Sequence, residues 1–449
     1  MRNILIIGAG LSGTLVAVNL LKADCPDGLK IWLVDRNAPD ALGPAYSTEE
    51  AFLLNVPAGI MGAYSGRPGH FLKWVQARGY PAEAGDFLPR KLFRAYIQEQ
   101  FQEALAARSG NCRIEMIRGE ATDAEMTEGR VRVSVRGHGD ILADRVILAI
   151  GNARPANPPV RQAAVLQDER YFGNPWDVEL SKRIQPDDRI LFVGTGQTMM
   201  ELATVLLERG HRGPITAISR RGLLPMAHQS TDPYPDFFAE LEGKKSILQL
   251  LRIVRKHIRL AQDQGSDPRA VIDSLRPHSP GIWMNLPVEE KRRFIRHLFR
   301  FWEIIRSRVP LESAKRFEKY LASGKVSVLA GTLTNVQPHR DRLDAKYVDR
   351  KSRRPMELPV DKVINCIGPN LDYEQRDEPL VQQLLRRGMI RCDPLHVGLD
   401  AFPDGTLIQA DGTPSTVLST LGLPLRGILW ETLAVPEIRA QAAELVRLV

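Results

Sequence analysis

Residues 4–13 read Ile-Leu-Ile-Ile-Gly-Ala-Gly-Leu-Ser-Gly, a stretch that predicts a buried strand, a glycine turn and the start of a helix. Each glycine has its own role in binding a dinucleotide. Gly8 permits the tight turn, Gly10 lets the backbone approach a pyrophosphate, and Gly13 lets the helix pack closely on the strand. The free N–H groups at the helix start attract phosphate. The stretch therefore predicts a dinucleotide-binding unit at the N-terminus.

The residues that follow supply the other parts of this motif in order. A second strand is predicted over residues 30–34, and Asp35 and Arg36 come directly after it. The Asp35 carboxylate is placed where it can accept hydrogen bonds from both hydroxyls of a ribose. A glycine triplet alone is a weak signal, and the alternative is a glycine-rich turn in some other α/β protein. Strand, turn, helix, strand and acid in this order favour dinucleotide binding.

Length and composition describe a globular chain of more than one domain. The 449 residues exceed one ordinary domain, and an apolar share of 43% with a charged share of 25% is typical of soluble proteins. No apolar run is long enough to span a bilayer, and glycines interrupt the N-terminal apolar run, which argues against an export signal. We therefore expect no membrane partner.

The cysteines are scattered, and no two of them are close in sequence. This spacing excludes a Cys-x-x-Cys redox pair and is not that of a zinc site, so no metal is expected. Scattered cysteines fit a reducing cytoplasm, which is the location that we predict. The four are Cys25, Cys112, Cys366 and Cys392.

The net charge of +8 leaves two interpretations open. Basic residues cluster at positions 291–293, on a predicted amphipathic helix, and at positions 350–354, in a predicted hairpin turn. One interpretation is a basic surface that also attracts anionic cofactors, and the other is nucleic-acid binding. Basic clusters alone often mislead, so we favour the first and expect no nucleic-acid partner.

The strand–glycine–helix pattern occurs a second time, and this repeat predicts the architecture. A buried strand over residues 189–193 leads into Gly194-Thr195-Gly196 and a helix, although the third motif position is Met199. The next strand, residues 214–219, ends on Arg220 and Arg221 where the first unit has an acid. Guanidinium groups bind a 2′-phosphate that a carboxylate would repel, so we predict NADPH rather than NADH. The alternative is a solvated basic turn.

Two similar strand endings mark where the chain crosses between domains. Residues 144–151 and 361–368 are each an apolar strand that ends on a glycine, Gly151 and Gly368. We predict an α/β protein with two Rossmann-like dinucleotide-binding domains, one made of residues 1–155 and 369–449 and the other of residues 156–368. Helical spacing over about 234–323 predicts an insertion, either a lid over a substrate or a packing element.

Several stretches carry a family resemblance, and they are residues 8–13, 43–47, 54–58, 87–90, 194–199, 219–225 with His228, 296–298 with Trp302, 429–432 and 436–439. Together they resemble the bacterial FAD/NAD(P)-binding oxidoreductases, flavoproteins with two dinucleotide-binding domains that are distant relatives of flavin-containing and N-hydroxylating monooxygenases. The resemblance covers nearly the full length. It implies FAD in the first domain and NADPH in the second, and it leaves the substrate open.

Three further features can be assigned a role if a flavin is bound. Asn55, in a long irregular loop, is a candidate catalytic residue that hydrogen-bonds the flavin ring edge or a substrate, or it caps a turn. Arg90 and Arg94 share a helix face and either pair with phosphate or an acidic substrate or are surface charges. The final helix, predicted over residues 435–446, would direct its N-terminus at the flavin N1–C2=O end.

From the motifs and the resemblance together, we predict cofactor contacts at Gly8, Gly10, Leu11, Ser12, Gly13, Asp35, Arg36, Tyr46, Asn55, Val56, Arg90, Ala121, Gly151, Gly194, Gly196, Gln197, Thr198, Arg220, Arg221, Gly368, Trp430 and Thr432. The predicted function is an FAD-dependent, NADPH-using oxidoreductase, most specifically a monooxygenase that uses dioxygen to hydroxylate a small molecule. Hydroxylation of an amine nitrogen rests on family analogy alone. The alternative is a non-catalytic flavin- or nucleotide-binding sensor or scaffold.

Overall fold

The computed structural model describes residues 1–24, 26–37, 42–43, 45–46, 52–158, 160, 163–177 and 180–447. Pro44 and Ser47 of the predicted loop motif, and Cys25, lie outside the described residues. The strands in chain order are β1 (Arg2–Ile7), β2 (Leu29–Asp35), β3 (Cys112–Arg118), β4 (Glu120–Thr127), β5 (Arg130–Arg136), β6 (Gly139–Ala143), β7 (Arg145–Leu148), β8 (Tyr171–Phe172), β9 (Ile190–Val193), β10 (Ile215–Ser219), β11 (Val326–His339), β12 (Arg342–Asp349), β13 (Pro355–Val360), β14 (Lys362–Asn365), β15 (Thr406–Ile408) and β16 (Pro414–Thr420).

Helices alternate with these strands over much of the chain and are concentrated between β10 and β11. They are α1 (Leu11–Lys22), α2 (His70–Gln76), α3 (Arg90–Ala107), α4 (Leu180–Arg183), α5 (Gln197–Glu208), α6 (Phe238–Leu241), α7 (Ile247–Asp263), α8 (Pro268–Ser274), α9 (Ser279–Asn285), α10 (Val288–His297), α11 (Phe299–Arg306), α12 (Leu311–Ala322), α13 (Pro379–Arg386), α14 (Arg426–Leu429) and α15 (Val435–Arg447). None of the helices in the described ranges combines the length and apolar character that crossing a bilayer requires.

The first sheet is built from both ends of the chain. Its strand order is β15-β16-β7-β1-β2-β3, with β1 parallel to β2 and β7, and β16 parallel to β7. Ile4, Leu5 and Ile6 of β1 are fully buried, as expected for a central parallel strand that is covered on both faces. Helix α1 lies against α3 and α15 on one face, and the antiparallel sheet β4-β5-β6 packs with α13 on the other side.

The second sheet is formed by the middle of the chain. Its order is β13-β12-β11-β10-β9-β14-β8, in which β10, β9, β14 and β8 run parallel and β12 and β13 form an antiparallel extension. Helices α5 and α12 cover it through Met199, Leu206, Ala314 and Phe317. The α/β class with two parallel-cored sheets is therefore confirmed, while the exact domain boundaries stay a prediction.

The two sheets contain the same hydrogen bonds at equivalent positions. Asn3 N donates to the Asp144 carboxylate at 2.7 Å while Asp144 N donates to Asn3 O at 2.8 Å. Arg189 and Asp361 make the same reciprocal pair, at 2.8 Å in each direction. The glycine turn makes the same backbone hydrogen bond in both units: Gly8 N donates to Val34 O and Gly194 N donates to Ile218 O, each at 2.8 Å.

The helical segment predicted over residues 234–323 is helical, but its last helix belongs elsewhere. Helices α6 to α11 form a separate apolar cluster that includes Trp283, Phe294 and Trp302, whereas α12 packs on α5 of the second sheet. The cluster also encloses Trp430 from the C-terminal part of the chain, and Trp283 Nε1 donates to Gly427 O at 2.8 Å. The insertion α6–α11 therefore packs directly on the segment around α14.

Candidate functional site

A cavity of about 300 Å³ opens at the carboxyl ends of β1, β2 and β7, the edge at which open parallel sheets bind ligands. The loops that follow these strands form most of its wall. Residues after β14 and around α15 close it from the other side. The lining residues are Ile7, Gly8, Gly10, Leu11, Ser12, Val34, Asp35, Arg36, Asn37, Leu42, Gly43, Ala45, Tyr46, Gly119, Glu120, Ala121, Ala149, Ile150, Gly151, Asn152, Arg376, Glu378, Pro379, Leu380, Val381, Leu423, Leu433 and Ile438.

The first glycine turn has space for a ligand at one glycine and is closely packed at the other two. A Cβ on Gly8, whose φ is +106°, would lie 2.3 Å from Ala149 O, and a Cβ on Gly13 would lie 1.8 Å from Gly8 O. Among the described residues, a Cβ on Gly10 would meet only Leu42 O, at 4.0 Å. Gly8 and Gly13 are therefore required by the turn and the helix packing, and the space above Gly10 is open to a ligand.

The start of α1 is prepared for an anion. Gly10 is the N-cap residue, no side chain of the described residues caps the helix, and no acidic residue lies in its first turn. The first N–H groups of a helix have no partner within it, and the helix dipole makes this end positive. Leu11 and Ser12 line the cavity at this point. The arrangement fits the phosphates of a dinucleotide, as the sequence predicts.

Asp35 is fixed in place at the cavity wall by two backbone groups. Ala9 N donates to its Oδ2 at 2.7 Å and Asn37 N donates to its Oδ1 at 2.8 Å. Each carboxylate oxygen can accept a further hydrogen bond. The carboxylate is therefore held in one orientation with capacity left for ribose hydroxyls, and Arg36 lines the cavity beside it.

Tyr46 lines the cavity and is neutral. Burial raises its pKa to about 12, against the opposing charge of Arg90, and its ring lies 5.2 Å from that of Phe93. The phenol therefore remains protonated at physiological pH and can donate a hydrogen bond. Ala121 and Gly151, two other predicted contacts, also line the cavity.

Sequence reasoning missed the contribution of the segment after β14. Arg376 is 5% exposed and donates to Glu378 through Nε at 2.9 Å and Nη2 at 2.8 Å, while its guanidinium lies 4.1 Å from the centre of the Tyr373 ring. Burial raises the pKa of the Glu378 carboxyl, but the hydrogen bonds and charge of Arg376 outweigh that effect and hold it below its usual value. The pair lines the cavity, and only the folding-back of a distant segment places it there.

The second glycine turn has the same backbone geometry. Gly196 caps α5 with φ −82° and ψ −173°, close to the −67° and −175° of Gly10, and no side chain caps this helix either. A Cβ on Gly194 would lie 2.3 Å from Cys366 O, and a Cβ on Gly8 would lie at the same distance from Ala149 O. A Cβ on Gly196 would have no neighbour within 4 Å in the part of the chain that the structure describes. Gln197 and Thr198 form the first turn of α5 above this open space.

The residue equivalent to Asp35 is Ser219, which refines the sequence-based alignment of the two units. Gly194 N bonds to Ile218 O as Gly8 N bonds to Val34 O, so Ser219 occupies the position of the acid. Its hydroxyl lies 2.9 Å from Thr195 Oγ1. Arg220 follows it and is exposed, and the Arg221 guanidinium lies 4.8 Å from the centre of the Phe301 ring. The position is thus neutral, with two arginines next to it.

The structure gives Arg90 a role other than the predicted phosphate contact. Its Nη2 donates to both carboxylate oxygens of Glu201 on α5, at 2.7 and 2.9 Å, and its Nε donates to Leu53 O at 3.1 Å. The two side chains are only 12% and 10% exposed. Arg90 therefore joins the layer of the first sheet to a helix of the second.

Asn55 belongs to the same connection between the sheets. Its Nδ2 donates to Gln197 Oε1 at 3.1 Å, and Gln197 Nε2 donates to Glu201 Oε1 at 2.8 Å. His228 Nε2 lies 3.1 Å from Asn55 O, and burial lowers the pKa of this imidazole, which leaves it neutral with Nε2–H as the donor. Val56 packs against the core of the first sheet. Neither Asn55 nor Val56 lines the cavity described above.

The remaining predicted contacts lie at the cavity margin or away from it. Gly368 follows β14 with φ +101° and open space at its Cβ position. Trp430 is 7% exposed and packs in the helical insertion rather than in the cavity. Thr432 is 1% exposed and its Oγ1 has no hydrogen-bond partner among the described residues, so a polar ligand atom would satisfy it. It precedes α15, whose Ile438 lines the cavity.

Comparison with known proteins agrees with this arrangement. Residues 5–153 match the model of a family described as FAD-NAD(P)-binding. No curated protein matches the chain in sequence. Among solved structures, the chain is similar to the ornithine N-hydroxylase of Kutzneria sp. 744, with a TM-score of 0.67 and 14% identity over 100% of this chain and 98% of that one.

Two further structures have nearly the same similarity. The ornithine hydroxylase PvdA of Pseudomonas aeruginosa has a TM-score of 0.67 and 15% identity, with 99% of this chain and 98% of that one covered. The L-lysine 6-monooxygenase of Pseudomonas syringae has a TM-score of 0.66 and 16% identity, with coverages of 100% and 98%. The chain therefore has, over its full length, the two-dinucleotide-binding-domain fold of these flavoproteins, with an FAD-NAD(P)-binding region in residues 5–153.

Proposed function

We propose that this protein is an FAD-dependent, NADPH-using monooxygenase that hydroxylates a small molecule at an amine nitrogen. The observation that carries the proposal is the cavity at the carboxyl ends of β1, β2 and β7, where the open space above Gly10, the uncapped start of α1 and the fixed Asp35 carboxylate converge. A dinucleotide needs these three features in this relation.

FAD fits the residues that are present. The N–H groups of Leu11 and Ser12 would bind the pyrophosphate and Asp35 the ribose, with Ala121 and Gly151 beside the adenosine half. The Thr432 hydroxyl and the start of α15 would meet the flavin half, since Thr432 Oγ1 is buried without a partner among the described residues. The bound flavin would supply hydride-accepting and oxygen-activating chemistry, for which the protein provides position and exclusion of water.

NADPH is proposed for the second unit. The first turn of α5 supplies free N–H groups above Gly196 for a pyrophosphate. Ser219 in the position of the ribose-binding acid removes the charge that would repel a 2′-phosphate, and Arg220 and Arg221 supply the opposite charge. We accordingly assign residues 1–155 and 369–449 to the FAD-binding domain and residues 156–368 to the NADPH-binding domain.

The substrate class is proposed from fold similarity. The solved relatives include hydroxylases of ornithine and lysine and a cadaverine monooxygenase, all of which act on amines. We infer a small amine substrate and dioxygen as co-substrate, in the cytoplasm, with no membrane or nucleic acid involved. The second candidate, a flavin-binding sensor or scaffold, would have the same cavity without a reaction.

The decisive experiment follows the absorbance of the bound flavin when NADPH is added without oxygen. We expect bleaching, because two dinucleotide-binding turns would hold a hydride donor and a hydride acceptor on the same chain. In air, ornithine, lysine and cadaverine are then tested for faster NADPH loss together with a hydroxylamine product. A flavin that NADPH does not bleach would favour the sensor, and bleaching without any hydroxylated product from an amine panel would reject amine hydroxylation.

A further inference from the structure

A cluster of three different metal-binding side chains lies in the segment that returns from the second sheet to the first. The ligand atoms of Asp372, Cys392 and His396 are all within 4.8 Å of one another. Glu374 stands beside them, with its Oε2 3.7 Å from His396 Nδ1. Oxygen, sulfur and nitrogen donors in one place form the mixed set that zinc accepts.

Two of the separations match those between neighbouring ligands of a tetrahedral ion. His396 Nδ1 lies 3.4 Å from Asp372 Oδ1, which is long for a hydrogen bond. With metal bonds of about 2.0–2.3 Å, the edges of a tetrahedral zinc site measure about 3.3–3.8 Å. The Asp372–His396 and Glu374–His396 distances are therefore close to those of ligands around a single ion.

The ligands are held by their surroundings as metal ligands usually are. Asp372 Oδ1 accepts from Glu374 N at 3.1 Å and its Oδ2 from Gln375 Nε2 at 2.8 Å, which fixes the carboxylate. The turn that carries His396 is built on the buried Asp393 carboxylate, which accepts from Leu395 N at 2.8 Å and Val397 N at 2.9 Å. The site is thus arranged in advance by a second layer of hydrogen bonds.

The surroundings of Cys392 are acidic, because the carboxylates of Glu374, Asp372 and Asp393 face its sulfur. A divalent ion in their midst would attract these carboxylates together with the sulfur.

We propose that Asp372, Cys392 and His396 bind one Zn²⁺ ion, with Glu374 or water as the fourth ligand. The ion joins the two ends of the segment that carries Arg376, Glu378 and α13, all of which border the cavity. Zinc here is structural: it holds the far wall of the cavity in place. The inference goes beyond the proposed function and does not depend on it.

The sequence alone does not reveal this site. No two cysteines are close in sequence, but Cys392 and His396 are separated by only three residues, which is within the range of spacings between paired zinc ligands. The third ligand lies twenty positions earlier, on the other side of α13, at residue 372. The expectation of no metal is drawn from spacing along the chain alone, and it does not consider this grouping of side chains in the folded structure.

The test measures zinc directly. The full-length protein is dialysed against ZnCl₂ and then against metal-free buffer, and its zinc content is determined by elemental analysis. We expect one zinc ion per chain, and a Tm that falls when a chelator removes the zinc and recovers when ZnCl₂ is returned. Cys392→Ser and His396→Gln should each lose the zinc and the Tm response.

His297→Gln is the matched control, since His297 is an exposed histidine at the end of α10, outside the cluster, and this variant should keep the zinc. The His396 side chain is 49% exposed, so its replacement by glutamine leaves the fold intact and the loss of zinc interpretable. No zinc in the wild-type protein, or equal zinc in wild type and His396→Gln, would overturn the proposal.

Discussion

Single atoms decide what each glycine of the first turn contributes. Gly8 and Gly13 lie against backbone oxygens and leave no space for a side chain, whereas Gly10 faces the cavity. The same division holds in the second turn, where Gly194 is enclosed and Gly196 is open. Because Gly10 and Gly196 have extended backbone angles that any residue adopts, substitution there tests ligand binding without disturbing the fold.

Gly10→Val should therefore give a folded protein without flavin, because the added side chain occupies the space of the pyrophosphate. Gly196→Val is its matched control: it should retain the flavin and lose reduction by NADPH. Absorbance spectra of the purified variants and anaerobic NADPH titrations provide the two measurements. Full flavin content in Gly10→Val would contradict the assignment of the first turn.

The choice of nicotinamide is also decided at single residues. A charge-assisted contact from Arg220 or Arg221 to a 2′-phosphate is worth about 1.5–3 kcal/mol, or roughly a ten- to hundredfold change in affinity. Replacing that arginine by alanine should weaken flavin reduction by NADPH by this factor and leave NADH unaffected. Ser219→Asp should reverse the preference, since it restores the acid found in the first unit. Equal use of NADPH and NADH by the wild-type protein would reject the prediction.

At the scale of elements, the ion pair between α3 and α5 connects the layers of the two sheets. Arg90 lies at the first position of α3 and Glu201 in α5, with both side chains nearly buried. Burial raises the pKa of the Glu201 carboxyl and Arg90 opposes that shift, so each group depends on the other. Removal of one partner leaves a buried group uncompensated.

We expect Arg90→Met or Glu201→Met alone to lower the free energy of unfolding by about 3–5 kcal/mol, the usual effect of breaking a buried pair. The double variant should recover much of that loss, because no isolated charge remains. Denaturant unfolding of the four proteins forms a double-mutant cycle. If the two single losses simply add in the double variant, the pair does not connect the helices as described.

Elements also show the limit of sequence reasoning. Helical spacing correctly predicts that residues 234–323 are helical, because amphipathic periodicity is a local signal. It does not reveal that α12 covers the second sheet while α6–α11 enclose Trp430, since both depend on contacts between distant segments. The insertion packs on the C-terminal part of the chain, and its role as a lid stays a prediction.

At the scale of the whole molecule, buried tyrosines limit stability at high pH. Burial raises the pKa of Tyr46, Tyr171 and Tyr373 from 10.0 to about 12. Between these two values the unfolded chain loses protons that the folded chain keeps. The stabilising effect of the raised pKa is thus complete below pH 10 and is lost as the pH rises to 12, at about 1.4 kcal/mol per pH unit for each tyrosine.

Tyr373→Phe should consequently lose stability less steeply than wild type above about pH 10, the usual pKa of tyrosine. Tyr373 is fully buried, so solvent does not weaken the effect of its raised pKa on the free energy of unfolding. Tyr80→Phe, at a side chain that is 48% exposed, is the control and should follow the wild-type curve. The measurement is denaturant unfolding over a series of alkaline buffers. Parallel curves for wild type and Tyr373→Phe would contradict the prediction.

Most of the architecture could be predicted because it repeats within the chain. The two glycine turns and the endings at Gly151 and Gly368 are local patterns, and the structure places equivalent hydrogen bonds at each. The sequence could not show which residues from distant segments come into contact. Arg376 reaches the cavity, and Arg90 meets Glu201, through contacts that span more than one hundred residues.

The discontinuous first sheet has a consequence for biosynthesis. Thr420 Oγ1 donates to Leu148 O, a contact between residues 272 positions apart, and β16 lies beside β7. At about 5–20 residues per second, a ribosome delivers β16 roughly 14–54 s after β7, with the entire second sheet emerging in between. Until β16 emerges, the β7 edge of the first sheet has no neighbouring strand to pair with. The cavity is therefore completed only after residues 376–438 have emerged, long after the glycine turn that forms its first wall.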